Sequence, residues 1–255
     1  MNKNTSTQLS NDKPILNNIK HRQIKSFVLR QGKITHGQQK ALDKLLSVYG
    51  ITYQHHPVDL IQSFGNSNPT IIEIGFGMGH GTIQTAKANP NNNYVGIEVH
   101  APGVGSLLMQ LDKNPVVTNL KIIQHDAKEV LQYMIPDDSI TGFHIYFPDP
   151  WPKKRHHKRR IIQPQFIELL INKLKVGGYI HLATDWEDYA LWMLDVLNSQ
   201  TTLHNQSQTN DYITRPTDRP LTKFEQRGIK LGHGVWDLIF KKTVVILRAS
   251  GIHKG

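Results

Sequence analysis

Residues 71–82 read IIEIGFGMGHGT, an apolar run that leads directly into a glycine-rich loop. The loop has glycine at four alternating positions, Gly75, Gly77, Gly79 and Gly81. Glycine lets the backbone turn sharply and approach a ligand closely, although strand ends are also glycine-rich for structural reasons alone. The dinucleotide pattern G-x-G-x-x-G would need a glycine at position 80, which is His80. The spacing E-x-G-x-G-x-G therefore favours a nucleoside without a pyrophosphate and argues against a dinucleotide-dependent oxidoreductase.

Short apolar runs recur from residue 70 onward, separated by helix-compatible stretches. They are TIIEI (70–74), NYVGIEV (93–99), LKIIQHD (120–126), GFHIYF (142–147) and GYIHLAT (178–184). Apolar strands that alternate with helices predict a mostly parallel sheet with helices on both faces. Segments near 201–206 and 235–241 predict a terminal strand pair, which gives an α/β fold of about seven strands. KLKVGG (173–178) predicts a helix C-terminus that stops at glycine.

The charge of the chain favours a polyanionic partner. Among 255 residues, 30 Lys and Arg outnumber 20 Asp and Glu and give a net charge of +10. Nine of the basic residues and only two Asp lie within residues 1–44, a local charge of +7. A surplus of this kind attracts nucleic acid. Because residues 1–20 are rich in Asn, Ser and Thr, we expect residues 1–25 to form a basic, disordered arm.

Several classes of protein are disfavoured by what the sequence lacks. The chain has no cysteine, which excludes disulfides and thiolate zinc sites. Neither adjacent histidine pair, at 55–56 or 156–157, has further ligands at metal-binding spacing, so we expect no metal. No apolar run approaches the roughly 20 residues of a membrane helix, and the polar N-terminus lacks the apolar core of a signal peptide. We therefore expect a cytoplasmic protein without membrane contact.

Acidic residues mark the first three predicted strands. Glu73 lies within the first strand, Glu98 ends the second and Asp126 ends the third. Ligands of open α/β sheets bind beyond the carboxyl ends of the strands, where these acids can accept from ribose hydroxyls and an adenine amino group or offset a cationic sulfonium. Each acid alone is explained as well by a helix cap or a surface ion pair, above all Asp126 before a helix. Together with the loop, they predict a pocket for S-adenosylmethionine in which Gly75, Gly77 and Gly79 approach the cofactor.

The fourth predicted strand runs into FPDPWPKKRHHKRR (147–160). Three prolines stiffen the turn, which we call the corner (147–152), and keep it out of a helix. Asp149 is the expected functional residue there, whereas Trp151 is equally compatible with packing and with stacking on a base. Six Lys and Arg and two His follow without an acid. Such runs are usually solvated faces, but beside a reactive corner this one indicates contact with phosphates.

Five segments carry a resemblance to a known family. They are SFVLRQGKITHGQQKAL (26–42), EIGFGMGHGT (73–82), FPDPWPKKRHHKRR (147–160), ATDWEDYA (183–190) and RPLTKFEQRG (219–228). Over residues 26–241 the chain resembles bacterial tRNA (guanine-N7-)-methyltransferases. The resemblance implies a Rossmann-like class I methyltransferase fold and S-adenosylmethionine as the cofactor. It also implies tRNA as the partner, methylation of guanine N7 at position 46 in the variable loop, and a monomer or homodimer.

The resemblance also implies roles for individual residues. Glu73, Glu98, Asp126 and Asp149 match the family's cofactor contacts, and Asp149 also matches its proposed catalytic residue. The matches to substrate contacts are Lys153, Asp185, Thr222, Lys223, Phe224 and Glu225. The matches to the RNA-binding segment are Arg155, His156, His157, Lys158, Arg159 and Arg160. Pro152 stands where some relatives carry a polar residue. Residues 242–255 form a C-terminal extension beyond the match, so we expect residues 26–241 to form a single methyltransferase domain.

Alternatives remain at the level of the residues. Thr184–Glu187 and Thr222–Glu225 both fit a helix capping box, so their acids can be structural. The Asp-Pro-Trp corner is related to the [DN]-P-P-[YFW] motif that holds an exocyclic amine, although Trp151 replaces its second proline. A non-catalytic RNA-binding protein on a methyltransferase scaffold is a third possibility, against which the full set of acids argues.

Overall fold

The computed structural model describes residues 24–28, 32–222, 225, 226, 228, 232 and 234–244. The helices are α1 His36–Tyr49, α2 Leu60–Phe64, α3 His80–Ala88, α4 Ala101–Asp112, α5 Ala127–Tyr133, α6 Pro164–Lys173 and α7 Glu187–Asn198, with a 3₁₀ helix at Lys154–Arg159. The strands are β1 Thr70–Ile74, β2 Asn93–Ile97, β3 Leu120–Ile123, β4 Ile140–Tyr146, β5 Leu174–Thr184, β6 Leu203–Asn205 and β7 Trp236–Lys242.

The strands form one seven-stranded sheet in the order β3-β2-β1-β4-β5-β7-β6. All neighbouring pairs are parallel except those of β7, which runs antiparallel to β5 and β6. The predicted strand pair near the C-terminus and the mostly parallel sheet are therefore confirmed. The strand order reverses between β1 and β4, and this is where open α/β sheets bind their ligands.

Each face of the sheet has its own apolar core. Ile72, Val95 and Phe143 belong to the larger core, which includes apolar residues of α5, α6 and α7. Ile71 and Tyr94, one position along each strand, belong to the second core with α1, α3 and α4. Since successive strand side chains point to opposite faces, the near-continuous apolar runs supply both cores at once.

Two local features place the glycine loop against α4. Gly75, Gly77 and Gly79 have φ values of +76°, +57° and +75°, a region that disfavours side chains. A Cβ on Gly103 of α4 would lie 2.3 Å from the carbonyl oxygen of Gly77, so only glycine allows this approach.

One helix ends within the predicted segment, but not at its glycines. Helix α6 ends at Lys173 and β5 begins at Leu174, so the glycines of KLKVGG lie within the strand segment. Gly177 has a φ of +79° there and does not stop a helix. Among the described residues, no helix is long and apolar enough to cross a membrane. The arm at 1–25 and the extension at 242–255 fall almost entirely outside the described residues, and the domain boundaries stay predictions.

Candidate active site

A cleft opens at the carboxyl ends of β1, β2, β3 and β4. Gly75, Glu98, Asp126 and Asp149, four of the predicted cofactor residues, line it. The lining also includes Ser26, Phe27, His100, His125 and Phe147, which are not among the predicted site residues. Ser26 and Phe27 begin the first family segment, which was the available signal for them.

Glu98 is held by backbone groups at the end of β2. Its Oε2 accepts from the N–H of Gly77 at 2.9 Å, and its Oε1 accepts from the N–H groups of Val99 and His100 at 2.7 and 3.0 Å. Charge-assisted bonds of this kind are strong. Glu98 therefore fixes the glycine loop to the end of β2 while its carboxylate borders the cleft.

Glu73 lies behind the cleft. It is 9% exposed and follows Ile72 in β1, so its side chain is on the face of α3 and α4. Burial raises the pKa of Glu73 to about 7; Thr82 opposes this shift and the nearby Glu98 adds to it. Within the described lining of the cleft, Glu73, Gly77 and Gly79 are absent, so they shape the loop from behind.

Asp126 caps a helix and also lines the cleft. Its Oδ1 accepts from the N–H of Lys128 at 3.0 Å and caps α5, and its side chain is half-buried at the cleft. Beside it, the ring of His125 stacks on Tyr53 with centroids 3.6 Å apart and bonds to Glu129 at 2.5 Å. The helix cap and the aromatic stack hold the Asp126 carboxylate at the edge of the cleft.

The corner holds Asp149 on an exposed turn between two strained residues. Phe147 and Trp151 have φ values of +50° and +47°, which non-glycine residues adopt rarely and at a cost. The N–H of Phe147 donates to the carbonyl of Ala183 at 2.8 Å and ties the start of the turn to β5. Strain of this kind persists only where the surroundings over-determine it, as they do around Asp149.

Trp151 braces the corner. Its Nε1 donates to the carbonyl of Ser26 at 3.2 Å, and the guanidinium of Arg159 lies over its ring at 4.9 Å from the centroid. Trp151 thereby joins the segment 24–28, the corner and the 3₁₀ helix. This favours the packing interpretation of Trp151 that the sequence left open.

The residues of the basic run differ in exposure, from exposed through half-buried to buried. Lys153, Lys154, Arg155 and Lys158 are exposed, whereas Arg160 is only 1% exposed. The remaining predicted RNA contacts, His156, His157 and Arg159, are half-buried, and burial and then the surrounding cations lower the pKa of His156.

Arg160 corrects the prediction that all of 155–160 faces RNA. Its Nε donates to the carbonyl of Pro150 at 2.9 Å, its Nη2 donates to Asp188, and its guanidinium stacks on Tyr189 at 4.8 Å. A guanidinium enclosed in this way has no free face for a phosphate. Arg160 instead holds the corner against α7.

Asp185 is half-buried directly after β5, beside β4 and the corner that follows it. The predicted capping box at Thr184 does not form, because Trp186 takes the N-cap position of α7 and its N–H donates to the hydroxyl of Thr184 at 3.2 Å. Asp185 is therefore not used as the helix cap. Lys223 and Phe224 lie outside the described residues.

Thr222 and Glu225 form half of the expected capping box. The hydroxyl of Thr222 accepts from the N–H of Glu225 at 3.1 Å. The carboxylate of Glu225 does not return to Thr222, because both of its oxygens accept from the guanidinium of Arg219, at 2.6 and 2.8 Å. The side chains of Arg219 and Glu225 are each 1% exposed.

Further buried groups extend this pair, and we call Arg219, Glu225, Asp237, His181 and Tyr146 the Arg219 network. Nη2 of Arg219 donates to Asp237 at 2.9 Å, and Oδ1 of Asp237 lies 2.8 Å from Nε2 of His181. Nδ1 of His181 lies 3.0 Å from the hydroxyl of Tyr146, the last residue of β4. Burial opposes the charge on Arg219, but the two carboxylates outweigh it and raise its pKa.

The cleft fits a nucleoside cofactor that carries a positive charge. Two carboxylates, Glu98 and Asp126, border it at successive strand ends, and a Cβ built on Gly75 would meet no atom within 4 Å. A bound group can therefore approach the backbone of the loop closely. Among the described residues, no group of three or more His, Cys, Asp or Glu is placed to hold a metal ion.

Comparison with known proteins gives strong matches. A family model described as "Putative methyltransferase" matches residues 67–238. The tRNA (guanine-N(7)-)-methyltransferase of Methylobacillus flagellatus is 55% identical over 225 residues, which cover 88% of this chain and 93% of that protein. The protein of the same name from Nitrosomonas eutropha is 56% identical over 223 residues, which cover 88% and 98%.

The fold also matches a solved structure. The crystal structure of the 16S rRNA methyltransferase KamB superposes with a TM-score of 0.54 at 13% identity, over 75% of this chain and 96% of that one. At this identity the likeness bears on the fold alone, and it confirms the Rossmann-like methyltransferase architecture.

Proposed function

Because the chain belongs to the tRNA (guanine-N(7)-)-methyltransferase family, we propose that it methylates N7 of a guanine in tRNA, at position 46 of the variable loop. One observation carries the proposal for the site. The corner places an exposed carboxylate, Asp149, between an acid-lined cleft and a basic 3₁₀ helix. A tRNA substrate supports placing this activity in the cytoplasm.

The cleft residues hold S-adenosylmethionine, which supplies an electrophilic methyl group on a sulfonium. Glu98 and Asp126 accept hydrogen bonds from the nucleoside, as carboxylates beyond strand ends do in this kind of sheet. Gly75 lets the backbone approach it. Glu73 acts from behind the loop, where its pKa of about 7 makes its charge sensitive to a bound cation.

The nucleophile needs no general base. Guanine N7 is an acceptor with a free lone pair, so no proton has to leave before it reacts. Catalysis therefore depends on orientation and on charge stabilisation. In A-form RNA the groove that displays N7 is deep and narrow, so the target base comes from a loop or is turned out of the stack.

Asp149 is the residue to which we assign the orientation of guanine. Its carboxylate accepts hydrogen bonds from the donors on the opposite edge of the base, which include the N2 amine. The same negative charge stabilises the cation that forms when N7 is alkylated. The two strained residues beside Asp149 and the contacts of Trp151 and Arg160 keep that carboxylate in place.

The surrounding tRNA is held through its phosphates. Lys153, Lys154, Arg155 and Lys158 present exposed cations next to the corner. Each cation that neutralises a phosphate releases a counterion, so this contribution to affinity falls with salt. Asp185 and Thr222 are assigned to the substrate on the family match, at the end of β5 and beside the Arg219 network.

The decisive experiment incubates the protein with tRNA and S-adenosylmethionine that carries a labelled methyl group. The cationic ring of N7-methylguanosine is reduced by borohydride, and mild aniline treatment then cleaves the tRNA at that nucleotide, so the fragment length identifies the position. We expect label at position 46 and none on a tRNA in which that guanine is replaced by adenine. Label confined to an exocyclic amine would favour the amino-methyltransferase alternative, and binding without label would favour a non-catalytic RNA-binding protein.

A further inference from the structure

The Arg219 network connects two segments that are far apart in sequence. Arg219, Glu225 and Asp237 belong to the last described part of the chain, whereas Tyr146 ends β4 and Phe147 opens the corner. The guanidinium of Arg219 lies over the rings of Tyr146 and Phe147, at 5.8 and 5.6 Å from their centroids. The buried guanidinium of Arg219 thus contacts the start of the corner and also Glu225 and Asp237, near the end of the described chain.

The contacts of Arg219 are those of a clamp. Two hydrogen bonds from its guanidinium hold the Glu225 carboxylate. The Asp237 carboxylate accepts from Nη2 of Arg219, and Oδ1 of Asp237 lies 2.7 Å from Nε of Arg219. Arginine suits this position because its planar fork reaches two carboxylates and stacks on aromatic rings at the same time. His181 extends the connection from Asp237 to the hydroxyl of Tyr146.

The burial of Glu225 determines what its carboxylate can do. The side chain is 1% exposed, and both oxygens already accept from Arg219. A substrate would have to displace a buried ion pair to reach it, and breaking such a pair is costly. Glu225 is therefore poorly placed for the substrate contact that the family match assigns to it.

We infer that Arg219 and Glu225 are positioning residues, which hold residues 219–222 and 225 and the Asp149 corner in one geometry without touching the substrate. The inference rests on the proposed methyl transfer for its catalytic consequence, because small displacements of reacting groups lower the rate strongly. The strained backbone at Phe147 depends on its surroundings. Loss of the clamp releases that backbone and moves Asp149.

The test compares Glu225→Gln with wild type by turnover and by hydrogen exchange. The amide keeps the shape of the side chain and removes the charge that pairs with Arg219. We expect turnover at saturating tRNA to fall about 100-fold, while the dissociation constants of tRNA and S-adenosylmethionine change less than about threefold, because phosphates and the cleft supply them. Amide exchange in peptides that cover 146–152 should rise, and Glu225→Asp should recover part of both effects.

Lys173→Gln is the matched control. It removes another ion pair, between the buried Lys173 and the exposed Asp137 at 2.6 Å, which lies at the opposite end of β5. We expect normal turnover from it. An equal loss of turnover in the control would assign the effect of Glu225→Gln to general destabilisation and overturn the inference.

Two further outcomes decide against the clamp. Lost turnover with unchanged exchange in 146–152 would mean that Glu225 contacts the substrate, and unchanged turnover would mean that the clamp does not matter for positioning. If Glu225→Gln does not fold, Arg219→Lys keeps the charge, removes the fork and carries the same measurements. Hydrogen exchange needs no tRNA, so raised exchange in a chain whose wild type fails to methylate tRNA would refute the proposed function and leave the clamp intact.

Discussion

The two halves of the strand edge are built in different ways. At the ends of β2 and β3, Glu98 and Asp126 are held by backbone N–H groups within their own loops or in the neighbouring glycine loop. At the ends of β4, β5 and β7, side chains hold one another, as in the Arg219 network and the contacts of Arg160. After the roles proposed for them, we call the ends of β2 and β3 the cofactor half and the ends of β4, β5 and β7 the substrate half. The cofactor half is therefore assembled locally, whereas the substrate half depends on contacts between distant segments.

This difference has a consequence for sensitivity to mutation. Backbone amides offer their hydrogen bonds whatever the neighbouring side chains are, so a change in the cofactor half stays confined to one ligand contact. In the substrate half a single change disturbs several segments, because buried polar groups that lose a partner are costly. The following substitutions test that contrast.

The largest effect is expected for Asp149→Asn. Asparagine keeps the shape of the side chain but loses the charge and one acceptor, so turnover should fall about 10²–10³-fold, the range for losing one group that stabilises transition-state charge. Since Asp149 is exposed, stability should change little. Labelled methyl transfer to tRNA at saturating substrate measures the effect.

The control for Asp149→Asn is Asp43→Asn, an exposed carboxylate on α1 that accepts from Gln39 at 2.9 Å. It should leave turnover unchanged. Equal turnover in wild type and Asp149→Asn would remove Asp149 from the mechanism and leave the corner as a structural turn.

Glu73 lies at the boundary of the two halves, opposite His144 in the register of β1 and β4. Its folded pKa of about 7 is raised above the ordinary 4.5, so the contribution of Glu73 to the free energy of unfolding is most favourable below pH 4.5 and falls as pH rises towards and through 7. At pH 8 the shift corresponds to about 3 kcal/mol. Glu73→Gln should therefore raise the free energy of unfolding at pH 8 by up to this amount, and much less at pH 5.

Urea unfolding at the two pH values measures this difference. Glu168→Gln, on the exposed face of α6, is the control and should not change the pH dependence. If Glu73→Gln lowers stability at pH 8, the carboxylate is ionised and paired in the folded state, and burial is not the dominant influence on Glu73.

The contrast also explains how much could be predicted from the sequence. Apolar runs and the residues at their ends predict the parallel sheet, the glycine loop and the acids of the cleft, because a few consecutive positions determine each of these features. The Arg219 network could not be predicted, since its members are up to about 90 positions apart and no spacing relates Tyr146 to Asp237. The inward position of Arg160 could not be predicted either, because a run of charges does not reveal which member is buried.

The predicted stop of a helix at the glycines of KLKVGG is wrong for a local physical reason. KLKVGG has the composition of a helix end, but Leu174 pairs with Ile140 and begins β5, so tertiary pairing overrides the glycine signal. The segment 24–28 borders the cleft through its contact with Trp151, which joins residues 125 positions apart.

Glu98→Gln tests the cofactor half. The NH₂ group of glutamine would face one of the backbone N–H groups that now donate to the Glu98 carboxylate. Losing a hydrogen bond to a charged group costs about 1.5–3 kcal/mol. The dissociation constant of S-adenosylmethionine should rise about 10–100-fold, with tRNA affinity unchanged. Calorimetric titration of each ligand measures this, with Glu168→Gln as the control. A parallel loss of tRNA affinity would show that the cofactor half is not independent of the substrate half.

The smallest effect is expected on the exposed face of the 3₁₀ helix, and it separates two neighbouring cations. Lys158 is exposed, so Lys158→Ala should remove one phosphate contact, weaken tRNA binding several-fold and reduce the salt slope of log K by about 1, at unchanged turnover with saturating tRNA. Arg160→Lys keeps the charge but loses the fork between Pro150 and Asp188 and the stacking on Tyr189, so it should lower stability and leave the salt slope unchanged. A salt slope for Arg160→Lys that is reduced as much as that of Lys158→Ala would show that the Arg160 guanidinium also contacts a phosphate. A wild-type slope for Lys158→Ala would show that Lys158 contacts none.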